Sequence, residues 1–206
     1  MDLVDPAIVG YAADHTTSFD DGLARVAANT RERTSQPIMM GGLVEVRLLQ
    51  ALAFASGATR VLEVGTFTGL TALALAAALP EGGRVTTIEA DPDTAAIARE
   101  HLDADPAGAK VELIVGDARE VLAGLAGPFD LAWVDAWKPD YPRYFELVLP
   151  LLGARGVMAF DNALRHGAVL EAGDEVGAFN DAVQADPRVH NALLTVGDGV
   201  LVAWPA

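Results

Sequence analysis

The sequence predicts an α/β fold, a mostly parallel sheet with helices on both faces, closed by an antiparallel hairpin. Three observations predict it. From residue 60 onward, short apolar runs alternate with segments of helical spacing. The runs are apolar at successive positions, as in parallel strands covered on both faces. The last two flank Gly197-Asp198-Gly199, a compact turn between alternating strands.

Taken in order, three helical segments precede residue 60: the first dozen residues, 18–33 and 43–56. The middle one is polar with spaced apolar positions, the pattern of a covering or dimer-contact helix. Strand-like runs occupy 60–64, 84–89, 110–115, 130–134 and 156–160, with helical segments at 68–79, 92–102, 117–125 and 141–152 between them. Thr68 and Asp117 suit helix starts, and Pro92 sits where a first helical turn tolerates proline. Residues 191–196 and 200–204 form the closing hairpin. No repeat, low-complexity tract or linker interrupts the pattern. Residues 1–206 therefore read as one domain, with 1–56 a helical elaboration and 57–206 the core.

Composition excludes several chemistries. There is no cysteine, which rules out disulfides, thiolate metal sites and cysteine nucleophiles. Fourteen basic against 29 acidic residues give a net charge of −15, a field that repels phosphate backbones and makes nucleic acid a poor substrate. The N-terminal residues lack the basic start and apolar run of a secretory signal, and residues 64–80 fall short of a membrane span. A soluble cytoplasmic protein is expected.

The strongest local signal is Glu63-Val64-Gly65-Thr66-Phe67-Thr68-Gly69, a strand ending in an acid and turning through two glycines into a helix. Glycine lets backbone approach a ligand closely, and a helix start offers free N–H groups. Alone, this turn is equally a plain strand–helix connection. Glu89, ending the second strand 24 residues after Gly65, stands where an acid binds both hydroxyls of an adenosine ribose. Asp117, in Gly116-Asp117-Ala118, stands where an acid meets an adenine amino group. Capping explains either acid singly and the set less well. A dinucleotide oxidoreductase needs G-x-G-x-x-G for its pyrophosphate, and the middle glycine is missing. The pattern favours S-adenosylmethionine, which carries no phosphate.

A second cluster lies further along the same edge. Asp135 ends the fourth strand, with Trp137 and Lys138 just after it; Asp161-Asn162 ends the fifth, 26 residues later. Two carboxylates and an amide oxygen form a hard-oxygen set suited to Mg²⁺, Mn²⁺ or Ca²⁺. Such an ion lowers the pKa of a bound hydroxyl, and Lys138 is placed to accept the proton or stabilise the phenolate. Plainer readings stay open: Asp135 capping the next helix, Asp161-Asn162 as turn chemistry, Lys138 as a solvated loop lysine.

The chain resembles the metal-dependent O-methyltransferases of the catechol and caffeoyl-coenzyme A group, within the class I methyltransferases. Residues 61–69, Gly116-Asp117-Ala118, Val134-Asp135-Ala136-x-Lys138, 141–152, Asp161-Asn162 and 187–199 carry the resemblance, in order from about residue 40 onward. It implies a Rossmann-like, seven-stranded sheet with an antiparallel C-terminal strand, and a homodimer. It implies a donor site lined by Gly41, Glu63, Gly65, Thr66, Thr71, Glu89, Ala118 and Asp135, with residues 39–41 passing over the donor's methionine end. It implies a metal held by Asp135, Asp161 and Asn162, and Lys138 as base. The acceptor implied is a small catechol-like or phenolic hydroxyl compound. Departures occur at Trp137, where plant-type members carry a second acid; at Leu164-Arg165-His166-Gly167, in place of a Leu-Trp-Asn-Gly run; and at Gly41, in place of a threonine. These weigh against caffeoyl-coenzyme A itself.

Trp137 and Tyr141 are candidates to stack on an aromatic acceptor, with ordinary packing as the alternative, and His166 is a candidate acceptor contact. His15 and His101, within helical segments, read as surface residues. A catalytically silent S-adenosylmethionine-binding protein remains the rival from another class.

Overall fold

The computed structural model describes residues 3–206. Strands β1 (Arg60–Val64), β2 (Arg84–Glu89), β3 (Val111–Val115), β4 (Phe129–Val134), β5 (Leu152–Phe160), β6 (Val189–Leu194) and β7 (Val200–Pro205) form one sheet in the order β3-β2-β1-β4-β5-β7-β6. The first five pair in parallel, while β7 runs antiparallel to both β5 and β6. The order reverses beside β1, which leaves a crevice at the carboxyl ends of the strands, where open α/β sheets bind ligands.

Alternation sorts each strand between two layers. Leu62, Ala132, Val134, Met158 and Phe160 face α6 (Ala118–Gly124), α7 (Tyr141–Val148) and α8 (Glu175–Ala185), where Phe160 lies 4.9 Å from Phe179 between ring centres. On the other face Val61, Leu131, Trp133 and Ala159 pack under α3 (Leu43–Ser56) and α4 (Leu70–Ala78). α2 (Asp21–Arg33) lies outside α4 and buries Leu23, Val26 and Ala27, so of its two expected roles it performs covering. α1 (Pro6–Asp14) buries no residue. α5 (Pro92–Asp103) begins with proline after the cap Asp91, whose carboxylate accepts the Asp93 N–H.

Several expectations need correction. α4 starts at Leu70, not Thr68, because Gly69 (φ 89°) turns the chain first and the Thr68 side chain is buried behind the turn. No helix was expected between residues 160 and 191, yet α8 stands there, capped by Asp174 and burying Val176, Phe179 and Val183. Its signal was local: a capping Asp and three apolar residues on one face. His101 is 8% exposed rather than a surface residue. Residues 37–56 are apolar enough to suggest a span (mean hydropathy 1.5). The regular helix there is α3, with 14 residues, roughly 21 Å against about 30 Å of bilayer core, and it buries Val46, Leu49 and Ala53 against the sheet side.

Candidate functional site

A cleft of about 1050 Å³ opens over the carboxyl ends of β1, β2, β4 and β5. Its floor is an interlocked set of backbone turns. Gly65 N–H donates to the Ile88 carbonyl at 2.9 Å, Asp135 N–H to Val64 at 2.8 Å, and Asp161 N–H to Val134 at 3.0 Å. Gly65 adopts φ 98°, and a Cβ there would sit 2.1 Å from the Asp135 carbonyl oxygen, so only glycine fits.

The wall above β1 and β2 is ordered by carboxylates whose partners are fixed. Glu89 accepts the Phe67 N–H at 2.7 Å through Oε2 and the Asp91 N–H at 3.0 Å through Oε1, which aims the carboxylate along the cleft wall. Glu63 is fully buried below. Thr87 donates to its Oε2 at 2.5 Å, and Thr66, 2.6 Å from the Thr87 hydroxyl, completes the relay. Glu63 Oε1 has no partner. Burial, opposed by the Thr87 hydrogen bond, pushes the Glu63 carboxyl up to about 8. Gly41 lines the cleft roof against α4, where an added Cβ would lie 3.3 Å from the Thr71 hydroxyl.

The wall above β4 and β5 gathers acids around Lys138. Lys138 Nζ donates to Asp135 Oδ1 at 2.6 Å. Asp161 is 6% exposed, and the Asn162 N–H donates to its Oδ1 at 2.6 Å from a backbone with φ 50°. Glu45, in the first turn of α3, is 7% exposed beside Asp161; its Oε2 accepts the Gly42 N–H at 3.2 Å and its Oε1 has no partner. Burial first, then the charges of Glu45 and Asp135, holds the Asp161 carboxyl well above the usual range. Burial also raises Glu45. Glu45 and Asp161 also share a side-chain hydrogen bond, the arrangement of two buried acids set side by side. Among the described residues no three acidic or imidazole side chains converge as a cage by themselves. Asp135, Asp161 and the Asn162 amide are the oxygen set that could hold a hard cation.

At the mouth stand Trp137, 69% exposed, and His166, whose N–H donates to Asp198 Oδ1 at 2.5 Å and whose Nδ1 lies 3.4 Å from the same atom. Arg165 and His166 both have φ near 50°, a conformation L residues rarely adopt and one that marks this departure from the family run as structurally constrained.

Comparison with known proteins decides the family: the model described as O-methyltransferase matches residues 14–204. The chain belongs to the O-methyltransferase family. This O-methyltransferase is 32% identical to a catechol O-methyltransferase of Niastella koreensis over 197 residues, covering 92% of this chain and 87% of that one. Among solved structures it resembles an S-adenosylhomocysteine-bound methyltransferase of Podospora anserina (TM-score 0.91, 26% identity, 97% and 94% of the two chains). It also resembles the Streptomyces achromogenes enzyme TomG in complex with S-adenosylmethionine (TM-score 0.87, 31% identity, 97% and 96%). Family membership makes it an S-adenosylmethionine-dependent O-methyltransferase with the Rossmann-like fold that the resemblance implied.

In this O-methyltransferase the structure brings Gly41, Gly65, Glu89, Ala118, Asp135, Trp137, Lys138, Asp161, Asn162 and His166 to one cleft. Glu63, Thr66 and Thr71 form the layer behind its donor wall. Two expected residues stand elsewhere. Asp117 caps α6, and its carboxylate is taken by the Arg119 N–H at 2.8 Å and by the Arg119 guanidinium, which holds it down at about 2; its neighbour Ala118 is what reaches the cleft. Tyr141 is fully buried, and its hydroxyl donates to the Asp161 carbonyl at 2.8 Å, so it supports the Asp161-Asn162 segment from beneath and does not line the cleft. The sequence reading missed Glu45. Its available signal was an acid three residues after Gly42, which marks a helix start and says nothing of Asp161.

Glu63 gives a pH prediction for this O-methyltransferase. Its folded pKa is raised from an ordinary 4.5 to about 8, so the folded ligand-free chain binds the extra proton and loses stability as pH rises through that window. The slope is at most about 1.4 kcal/mol per pH unit. Glu63→Gln is expected to flatten the decline between these values in urea melts of the ligand-free protein; an unchanged profile removes Glu63 as its source.

Proposed function

We propose that this enzyme moves the methyl group of S-adenosylmethionine to a hydroxyl of a small catechol-like or phenolic acceptor, with a divalent metal. The observation that supports the reading is the cluster of buried Asp161 with half-buried Asp135 and Lys138, in the same cleft as Gly65 and Glu89. On the donor side, Glu89 binds the ribose hydroxyls, Glu63 supports the wall from behind through Thr87 and Thr66, Ala118 borders the adenine and residues 39–41 cover the methionine end. Gly65 lets the backbone approach the donor closely. On the acceptor side, Asp135, Asp161 and Asn162 would hold Mg²⁺, Mn²⁺ or Ca²⁺, which would supply positive charge to acidify the acceptor hydroxyl.

The chain's own residues do the rest. Lys138, paired with Asp135, is placed to accept the acceptor hydroxyl's proton or to stabilise the resulting phenolate. Trp137 offers an exposed indole face to an aromatic ring, and His166 borders the far side. Positioning the oxygen in line with the methyl group is the main contribution. Residues 1–206 act as one catalytic domain, with the cleft roof drawn from the N-terminal elaboration. The −15 charge supports a small-molecule substrate over nucleic acid or a membrane surface. We take the enzyme to be a cytoplasmic homodimer, which light scattering on the purified protein checks.

The test is calorimetry of Mg²⁺ and Mn²⁺ into protein saturated with S-adenosylhomocysteine, with turnover of a catechol acceptor followed with and without chelator. One ion per chain and chelator-sensitive turnover are expected. Binding of the donor product with no metal bound, and turnover indifferent to chelator, overturns the metal part.

A further inference from the structure

The turn that carries the donor wall is strained. Gly65 and Gly69 have φ 98° and 89°, and Phe67, a bulky residue, has φ 51°. Such a turn keeps its shape only where its surroundings hold it. On the cleft side the Phe67 N–H is bound by Glu89 Oε2. On the other side the Thr68 side chain is fully buried, 2.7 Å from the hydroxyl of Thr30 in α2, which itself lies 2.8 Å from the Val26 carbonyl. The Thr68 carbonyl faces His101 Nδ1 at 2.8 Å. A carbonyl can only accept, so Nδ1 carries the hydrogen. The other ring nitrogen, Nε2, is 2.6 Å from the side-chain Oδ1 of Asn29 in α2.

α5 therefore holds both the turn and the acid bound to it. At its start, the N–H of the cap Asp91 donates to Glu89 Oε1 at 3.0 Å. In its last turn, His101 holds the Thr68 carbonyl. The Phe67 N–H that Glu89 accepts and the Thr68 carbonyl that His101 holds lie two peptides apart in the same strained turn, so the hold on Thr68 bears on the N–H through that short stretch of chain. α2 fixes α5 in turn, through Asn29 on His101 and an Arg33–Glu100 ion pair.

We propose that His101 is a positioning residue for the methyl donor: it locks the strained 65–69 turn from behind, and through Asn29 it makes donor affinity depend on helix α2. The inference rests on the reading that the donor lies against this turn and Glu89. His101 touches neither donor nor acceptor, so its effect falls on donor binding and leaves the transfer step alone.

The experiment compares wild type, His101→Ala, His101→Asn and Asn29→Ala, each confirmed folded by its thermal transition. S-adenosylhomocysteine affinity is read by calorimetry, and kcat and KM for each substrate are read at saturating levels of the other. His101→Ala is expected to weaken S-adenosylhomocysteine roughly tenfold, the scale of a buried carbonyl losing its donor. Donor KM rises with it, while kcat and acceptor KM hold. His101→Asn, which returns an N–H to the Thr68 carbonyl, recovers most of the affinity. Asn29→Ala shifts affinity in the same direction, and combining it with His101→Ala adds little, as expected for two members of one relay. Unchanged affinity in His101→Ala overturns the proposal. So does an Asn variant as weak as the Ala one with kcat lowered in both, which marks a general packing defect. If His101→Ala does not fold, Asn29→Ala and His101→Asn decide, with unchanged affinity in Asn29→Ala as the overturning result. Wild type that fails to bind S-adenosylhomocysteine overturns the donor reading and this inference together; wild type and all variants binding alike overturns this inference alone.

Discussion

Asp161→Ala is expected to lower turnover of a catechol acceptor by about 10²–10³-fold, the scale of losing one preorganised electrostatic partner, while S-adenosylhomocysteine affinity changes little. The asymmetry follows from position. Asp161 lies at the end of β5 with Glu45 and Asp135, whereas the donor wall is built on β1 and β2. The same variant separates a metal role from a structural one. Asp161 is held above its usual range by burial and by two like charges, so without metal the folded chain binds an extra proton at Asp161 and is destabilised as pH rises. Replacing it removes that burden, and metal-free Asp161→Ala is expected to melt no lower than wild type near neutral pH. Added Mg²⁺ is expected to raise the melting temperature of wild type and leave the variant unmoved, because only a bound ion stabilises by mass action. Metal-free Asp161→Ala melting well below wild type makes Asp161 a structural acid; Mg²⁺ raising both proteins alike places the ion elsewhere.

Gly65→Ala is expected to have the largest effect on stability of any single methyl group added to the donor turn. The new Cβ would lie 2.1 Å from the Asp135 carbonyl oxygen and 2.8 Å from its carbon, both backbone atoms, at φ 98°. Neither atom can move without breaking the Asp135 N–H to Val64 bond that joins β1 to β4 at the cleft floor. Strain and overpacking together are expected to destabilise by roughly 2–5 kcal/mol. Donor affinity and the Asp135–Lys138 pair should fail together, since one residue's carbonyl and side chain serve both halves of the site. Gly69→Ala is the control: its φ of 89° is also strained, but its Cβ would meet the Ala98 Cβ at an ordinary 3.4 Å. A loss of about 1–2 kcal/mol is expected there. Urea midpoints for the two variants check the ranking, and equal losses refute the close-approach explanation.

The strands and the cleft edge were legible because their signals are local. A buried parallel strand must be apolar on both faces, and a chain turning from strand to helix needs glycine or a capping acid. β1, β2, α5 and the hairpin turn announced themselves in that way. Most proposed site residues were legible too, since carboxyl ends of parallel strands share one edge: Glu89, Asp135 and Asp161 had to be neighbours once the strands were placed. α8 was missed because its three buried residues, Val176, Phe179 and Val183, are diluted by glycine, alanine and polar positions.

By itself, then, the sequence determined the parallel sheet, its closing hairpin, the glycine turn and the acids at the strand ends, all of which depend on residues near one another in the chain. Only the tertiary structure decided what each polar group faces. Asp117 went to Arg119 two residues on, Tyr141 went under the Asp161 loop, Glu45 came from α3 to stand beside Asp161, and His101 turned inward to Thr68 and Asn29. Periodicity places a side chain on a face of its own element; the partner on that face comes from a segment distant in sequence, and it is set by how the layers pack.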